Sequence, residues 1–215
     1  MANILITGGS RGIGAATVRR LARDGHRVCF LYKESIEKAH SLSRLLQAEG
    51  CDVIGVQCDI RQSAQVQMTL DALQEKWGAM DVLINCAGIS WNGLMQDMLD
   101  AEWLDVFDTN VHGAFYCTRA VLPGMLARQK GVIINISSMR GLDSPHFPFY
   151  PPAMGDQPVN YTTEKWAMIG LTKYMAGRYG KHHIRVNCIA PGGFNPGISD
   201  TADGAAFEKT YVEHC

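Results

Sequence analysis

Short apolar runs alternate along the chain with longer stretches whose apolar residues recur at three- and four-residue spacing. The short runs, rich in Val, Ile and Leu and bounded by turn residues, read as buried strands. Strands are expected at residues 4–7, 27–32, 53–58, 82–85, 132–136 and 185–189. Helices are expected at 12–24, 35–49, 63–77, 100–128 and 161–179. Gly25, Gly50 and Gly78 stand where the first three should stop. Pro123 lies inside the fourth helical stretch, where its ring and missing N–H are expected to bend or interrupt it.

Regular strand–helix alternation predicts an α/β fold: a Rossmann-like, doubly wound parallel sheet with helices on both faces and right-handed crossovers, in a single domain over residues 1–215. Ligands of such sheets bind beyond the carboxyl ends of the strands, where strand order reverses. The unusual residues of this chain fall there: 8–14, Lys33, Asp59, 85–88, Ser137 with Ser138, and 191–193. One stretch breaks the rhythm. Residues 143–158 hold Pro145, Pro148, Pro151, Pro152 and Pro158 with Phe147, Phe149 and Tyr150, and cannot form a regular helix or central strand. The stretch is expected to overhang the ligand crevice as a loop.

Composition narrows the classes. The chain has 215 residues, 47% of them hydrophobic and 19% charged, which suits one globular domain rather than disorder. A net charge of -1 without charge blocks argues against a nucleic-acid or membrane-surface partner. The cysteines form no CxxC pair and read as reduced, packed side chains. The chain opens on a strand-like run with no signal-peptide core, and no apolar stretch is long enough to span a bilayer, so a cytoplasmic location is expected. No metal site is expected: His182 and His183 lack partners at ligand spacing.

Candidate chemistry begins at Thr7-Gly8-Gly9-Ser10-Arg11-Gly12-Ile13-Gly14, between the first strand and first helix. Glycines there let the backbone turn tightly and approach a pyrophosphate, which the helix N-terminus favours. Gly8, Ser10, Arg11, Gly12, Ile13 and Gly14 are therefore candidate cofactor contacts. An NAD site places an acid at the end of the second strand. Here that strand ends Leu31-Tyr32-Lys33, so Tyr32 and Lys33 border the adenosine side, and Lys33 with Arg11 offers two cations to a 2′-phosphate. The expected cofactor is NADP(H). Tyr161 and Lys165 are four apart on a predicted helix, hence neighbours on one face. A phenol, with a reference pKa near 10, is a poor base at neutral pH, and a lysine cation beside it favours the phenolate.

Taken in order, Thr7 to Gly14, Asn85-Cys86-Ala87-Gly88, Asn110, Ser138, Tyr161-Thr162-Thr163-Glu164-Lys165 and Pro191-Gly192 resemble the classical short-chain dehydrogenase/reductases over residues 3–193. The resemblance implies an oxidoreductase that interconverts a ketone and a secondary alcohol. It assigns Tyr161 as general acid/base and Lys165 as the residue that lowers the phenol's pKa and binds the nicotinamide ribose. Ser138 would hydrogen-bond the substrate oxygen, and Asn110 would hold a water relaying protons to Lys165. Asp59 and Ile60 match adenine contacts; Asn85, Ala87 and Gly88 match the turn beside the adenine ribose. Pro191, Gly192, Gly193 and Phe194 match the loop flanking the nicotinamide. Ser137 competes with Ser138, but the strand-then-two-serines pattern favours the second.

The first part of the chain, to Gly141, is most similar to 3-oxoacyl-acyl-carrier-protein reductases, and residues 158–193 to sugar and sugar-acid dehydrogenases. A 3-oxoacyl thioester, free or borne on an acyl carrier protein, and a sugar, polyol or sugar acid are thus alternative substrates. An NADP(H)-binding subunit without turnover is a third reading. Family members usually form dimers or tetramers and continue with another helix and strand. A homo-oligomer is expected if that part is present, and a sheet without its last strand if the chain stops at Cys215. Residues 194–215 resemble the start of a substrate lid. His146, Tyr150 and Trp91 are further candidates for lining the pocket, and His112 is expected to be packed.

Overall fold

A computed structural model describes residues 1–91, 93–145, 147 and 158–192. Six strands form one parallel sheet in the order β3-β2-β1-β4-β5-β6: β1 Asn3–Thr7, β2 Arg27–Tyr32, β3 Val53–Gln57, β4 Val82–Asn85, β5 Gly131–Ile136 and β6 Ile184–Ile189. The order reverses between β1 and β4, which fixes the crevice at their carboxyl ends. The helices are α1 Gly12–Arg23, α2 Ile36–Ala48, α3 Ser63–Trp77, α4 Asp100–Phe107, α5 Gly113–Arg128 and α6 Val159–Tyr179.

Strand alternation divides the core into two layers. Ile4, Ile6, Val28 and Phe30 pack with Val18 and Ala22 of α1 and with Ala39, Leu42 and Leu46 of α2. Leu5, Cys29, Leu83 and Ile133 point the other way, onto Val66 and Leu70 of α3, Cys117 and Val121 of α5 and Met175 of α6. This second layer holds three of the cysteines, Cys29, Cys58 and Cys117, as unpaired packed thiols. Burial pushes the Cys29 thiol up to about 12 and those of Cys58 and Cys117 up as well, which leaves them unreactive. No described helix is long and apolar enough to cross a membrane.

The long fourth helical stretch is interrupted, but not at Pro123. Helix α5 runs through that proline, and the break lies upstream in a π-helical segment, Asp108–His112. One missing N–H is tolerated inside a helix held on both sides by buried Ala120, Val121 and Met125. The wider π turn carries Asn110 into the protein, where it is buried. Helix α6 starts at Val159, two residues before the expected bound, with Pro158 extended ahead of it.

Candidate active site

The loops at the carboxyl ends of the strands enclose a cleft of about 1380 Å³. Its floor is fixed by Thr7 at the end of β1. The buried Thr7 hydroxyl oxygen accepts from the backbone N–H groups of Cys86 and Ala87, both at 3.0 Å, and so ties the two strands flanking the switch point. Gly8 has φ +68, and a Cβ there would lie 2.6 Å from the Ala87 Cα. A Cβ on Gly14 would lie 2.3 Å from the Gly8 carbonyl oxygen, so the first turn of α1 folds directly against the glycine turn. No side chain caps α1, and its first turn holds no acid.

Gly8, Ser10, Arg11, Gly12, Ile13 and Gly14 line one end of the cleft, as do Tyr32, Lys33, Asp59, Ile60, Ala87 and Gly88. Lys38 of α2 joins them there, a cation the sequence pattern did not single out. Lys33 is not solitary: its Nζ lies 2.9 Å from Glu34 and 3.9 Å from Asp59. Asp59 is held by Arg61, whose Nη2 donates at 2.6 Å and whose Nε donates to both carboxylate oxygens at 3.0 Å. Those bonds hold the Asp59 carboxyl below the usual carboxylate range. Arg61 also donates to Asp105 at 2.6 Å, and Asp105 accepts from the Trp91 indole at 3.3 Å. This chain of contacts joins the adenosine end of the cleft to Trp91, which also lines it.

Asn85 does not face the cleft. Its amide donates to Asn135 at 2.9 Å and to Thr118 at 3.3 Å, and Asn135 donates in turn to Thr172 of α6 at 2.8 Å. The reason is strand parity: Asn85 shares the face of Leu83, which is the core side of β4. The expected contact of Asn85 with the adenine ribose therefore gives way to a buried strap between β4, β5 and α6. Pro191 and Gly192 line the cleft, whereas Gly193 and Phe194 lie outside the described residues, as do His146, Tyr150, most of the proline-rich loop and residues 194–215.

The opposite end of the cleft is lined by Ser138, Tyr161 and Lys165, with Asn110 behind them. Lys165 Nζ lies 5.2 Å from the centre of the Tyr161 ring and donates to the Ile136 carbonyl at 3.3 Å. Ser138, extended at φ -159, accepts from the Arg140 N–H at 3.2 Å. Ser137 has a different task. Its hydroxyl donates to the Lys165 backbone carbonyl at 2.8 Å, so it ties the end of β5 to the helix that carries Tyr161. Asn110 accepts from the Ile89 N–H at 2.9 Å and donates to the Ile89 carbonyl at 2.9 Å and to Glu164 at 2.8 Å. Both amide hydrogens are thus used, and a water at Asn110 has to be held by other atoms. His112 is not packed but half-exposed and paired with Asp108 at 2.8 Å, and His182 lies 3.2 Å from Gln129.

The family model of the short chain dehydrogenases matches residues 2–204. The chain belongs to the short chain dehydrogenase family. Among curated members, 3-oxoacyl-[acyl-carrier-protein] reductase FabG of Staphylococcus aureus is 36% identical over 205 residues, which cover 95% of this chain and 78% of that one. A gluconate 5-dehydrogenase from Burkholderia cenocepacia, solved with NADP and tartrate, superposes with a TM-score of 0.82 at 30% identity, covering 94% of this chain and 76% of the other. An actinorhodin polyketide ketoreductase solved with NADPH gives a TM-score of 0.82 at 30% identity, covering 99% and 76%. Both kinships expected for this short chain dehydrogenase, to acyl reductases and to sugar-acid dehydrogenases, are present. Besides Lys38, two further features of the site escaped the sequence reading. Ser137 was weighed only as a competitor of Ser138, and its tie to the Lys165 carbonyl was not anticipated. Glu164 was signalled only by a carboxylate standing where α6 turns its inner face to the protein.

Proposed function

We propose that the chain is an NADP(H)-dependent oxidoreductase that interconverts a ketone and a secondary alcohol, with a 3-oxoacyl thioester as the leading substrate class. The observation that carries this reading is one continuous cleft, with the glycine turn at one end and Ser138, Tyr161 and Lys165 at the other. The residues present fit the cofactor. At Gly8 and Gly14 a Cβ would fill the backbone cradle, and Arg11, Lys33 and Lys38 supply cations where a 2′-phosphate would lie. When bound, the nicotinamide supplies or accepts the hydride.

The protein's own work is to bind, orient and move a proton. Ser138 Oγ and the Tyr161 hydroxyl hydrogen-bond the substrate oxygen and polarise the carbonyl. The Tyr161 hydroxyl gives its proton to that oxygen during reduction and, as phenolate, takes one from the alcohol during oxidation. Lys165 favours the phenolate by its charge. Pro191 and Gly192 flank the nicotinamide, and Gly193 and Phe194 are assigned to the same loop. Asp59, Ile60, Ala87 and Gly88 border the adenosine.

Sequence kinship to acyl reductases favours the thioester, carried on coenzyme A or a carrier protein. The likeness to gluconate 5-dehydrogenase favours a sugar acid as the second reading. The deciding experiment follows NADPH consumption with acetoacetyl thioesters and with keto-sugar acids, in the wild type and in Tyr161→Phe. Turnover of the thioester, abolished by Tyr161→Phe while NADPH binding persists, is the expected result. Turnover of the keto acids alone selects the second reading; activity retained by Tyr161→Phe overturns the assigned proton donor.

A further inference from the structure

Glu164 stands next to Lys165 in the chain and behind it in the fold. It is fully buried, and its Oε1 lies 3.0 Å from Lys165 Nζ while accepting from Asn110 at 2.8 Å. Its Oε2 is buried without a hydrogen-bond partner among the described residues, as are both side-chain polar atoms of Asn160 one helical turn earlier. A buried ion pair of this kind is poor value as a structural device, because desolvating two charges cancels much of their attraction. An apolar side chain would pack that face of α6 at less cost. What the carboxylate contributes is control of Lys165.

We propose that Glu164 is a positioning residue that anchors the Lys165 ammonium and, as its counter-charge, sets how strongly that cation favours the Tyr161 phenolate. The inference rests on the roles given to Tyr161 and Lys165 above. An ammonium has three hydrogens. Glu164 and the Ile136 carbonyl take two, which leaves one for the cleft side. Glu164 is also the one acid ion-paired with Lys165 among the described residues.

The other titratable groups around the pair are few. Cys86, from the loop after β4, has a thiol that burial pushes up and Lys165 pulls back. Arg140 lines the cleft from the turn after β5, and Asp105 of α4 is already bound to Arg61. Asp108 and His112 of the π segment pair with each other. Burial pushes the Glu164 carboxyl above its usual range, against the opposing pull of Lys165 and Asn110. Once pH falls low enough to protonate it, the counter-charge is gone and the wild type behaves as a neutral variant would.

The test is a titration of Tyr161 that needs no turnover. Tyrosinate absorbance is followed against pH in the wild type, Glu164→Gln, Glu164→Met and Glu164→Asp, each subtracted from the same protein carrying Tyr161→Phe. Both neutral variants are expected to move the Tyr161 midpoint to lower pH by about one unit, and Glu164→Asp to stay near the wild type. The acid limb of alcohol oxidation should move the same way, and wild-type and Glu164→Gln profiles should converge at low pH. An unmoved midpoint in whichever neutral variants fold, or an equal shift in Glu164→Asp, overturns the proposal. A wild type that turns over no carbonyl or alcohol overturns the assigned reaction instead, and the titration still decides on Glu164.

Discussion

Replacing Gly141 by alanine probes how closely the turn after Ser138 and helix α6 must fit. The turn Met139–Gly141 follows Ser138 and packs on α6. A Cβ on Gly141 would sit 2.5 Å from Ser137 Oγ, 2.6 Å from the Lys165 carbonyl oxygen and 2.8 Å from its carbonyl carbon. Two of those three atoms are helix backbone and cannot rotate away. Reaching ordinary contact therefore requires about 0.8 Å of separation between the turn and α6. Overpacking of this kind costs about 1–3 kcal/mol. Losing the Ser137–Lys165 hydrogen bond adds about 1 kcal/mol. For a chain of this size each kcal/mol lowers Tm by about 2–4 °C, so a fall of about 4–16 °C is expected. Displacing Ser138 from Tyr161 by most of an ångström should also cut kcat by about 10²-fold, with less change in cofactor binding. Thermal unfolding and steady-state NADPH kinetics measure both. Ser137→Ala alone should cost only the hydrogen bond, and it should not rescue Gly141→Ala, because the clash with the Lys165 carbonyl persists. An unchanged Tm and kcat in Gly141→Ala would refute the reasoning.

Two further predictions concern the adenosine end. Lys33→Asp places a third carboxylate beside Glu34 and Asp59, so the kcat/KM preference for NADPH over NADH should fall about tenfold or more; an unchanged ratio would show that Arg11 and Lys38 suffice. Asp59 is held below its usual range by Arg61, so it contributes stability above its unfolded pKa and loses it as pH falls through the folded value. Asp59→Asn should flatten the decline of Tm with acidification below about pH 5, and an equally steep decline would mean that other carboxylates dominate it.

The strands and the nearness of Tyr161 to Lys165 were legible in the sequence because each follows from a short-range period. What was missed depends on tertiary contacts. The π segment at Asp108–His112 follows from what Asn110 bonds to, Ile89 and Glu164, and neither is visible in the local helix pattern. Pro123 looked like the natural break, yet packing on both sides carries α5 through it. Asn85 was placed with its motif neighbours Ala87 and Gly88, although parity with Leu83 already turned its side chain to the core. Glu164 stands in the sequence only as a member of the motif from Tyr161 to Lys165, since nothing in the one-dimensional pattern reveals a buried ion pair.

The hydroxyl of Ser137 has a consequence for how the site is held together. It joins the end of β5 to α6 directly, at Lys165, whose side chain lines the cleft. The sixteen residues of 143–158 connect the same two elements by the long way round. Because the short tie does not pass through that stretch, the spacing of β5 from α6 at this point does not depend on the length of chain between them. One hydroxyl at the end of β5 thus does what a covalent connection of many residues would otherwise have to do: it holds the strand that leads into Ser138 against the helix that carries Tyr161 and Lys165.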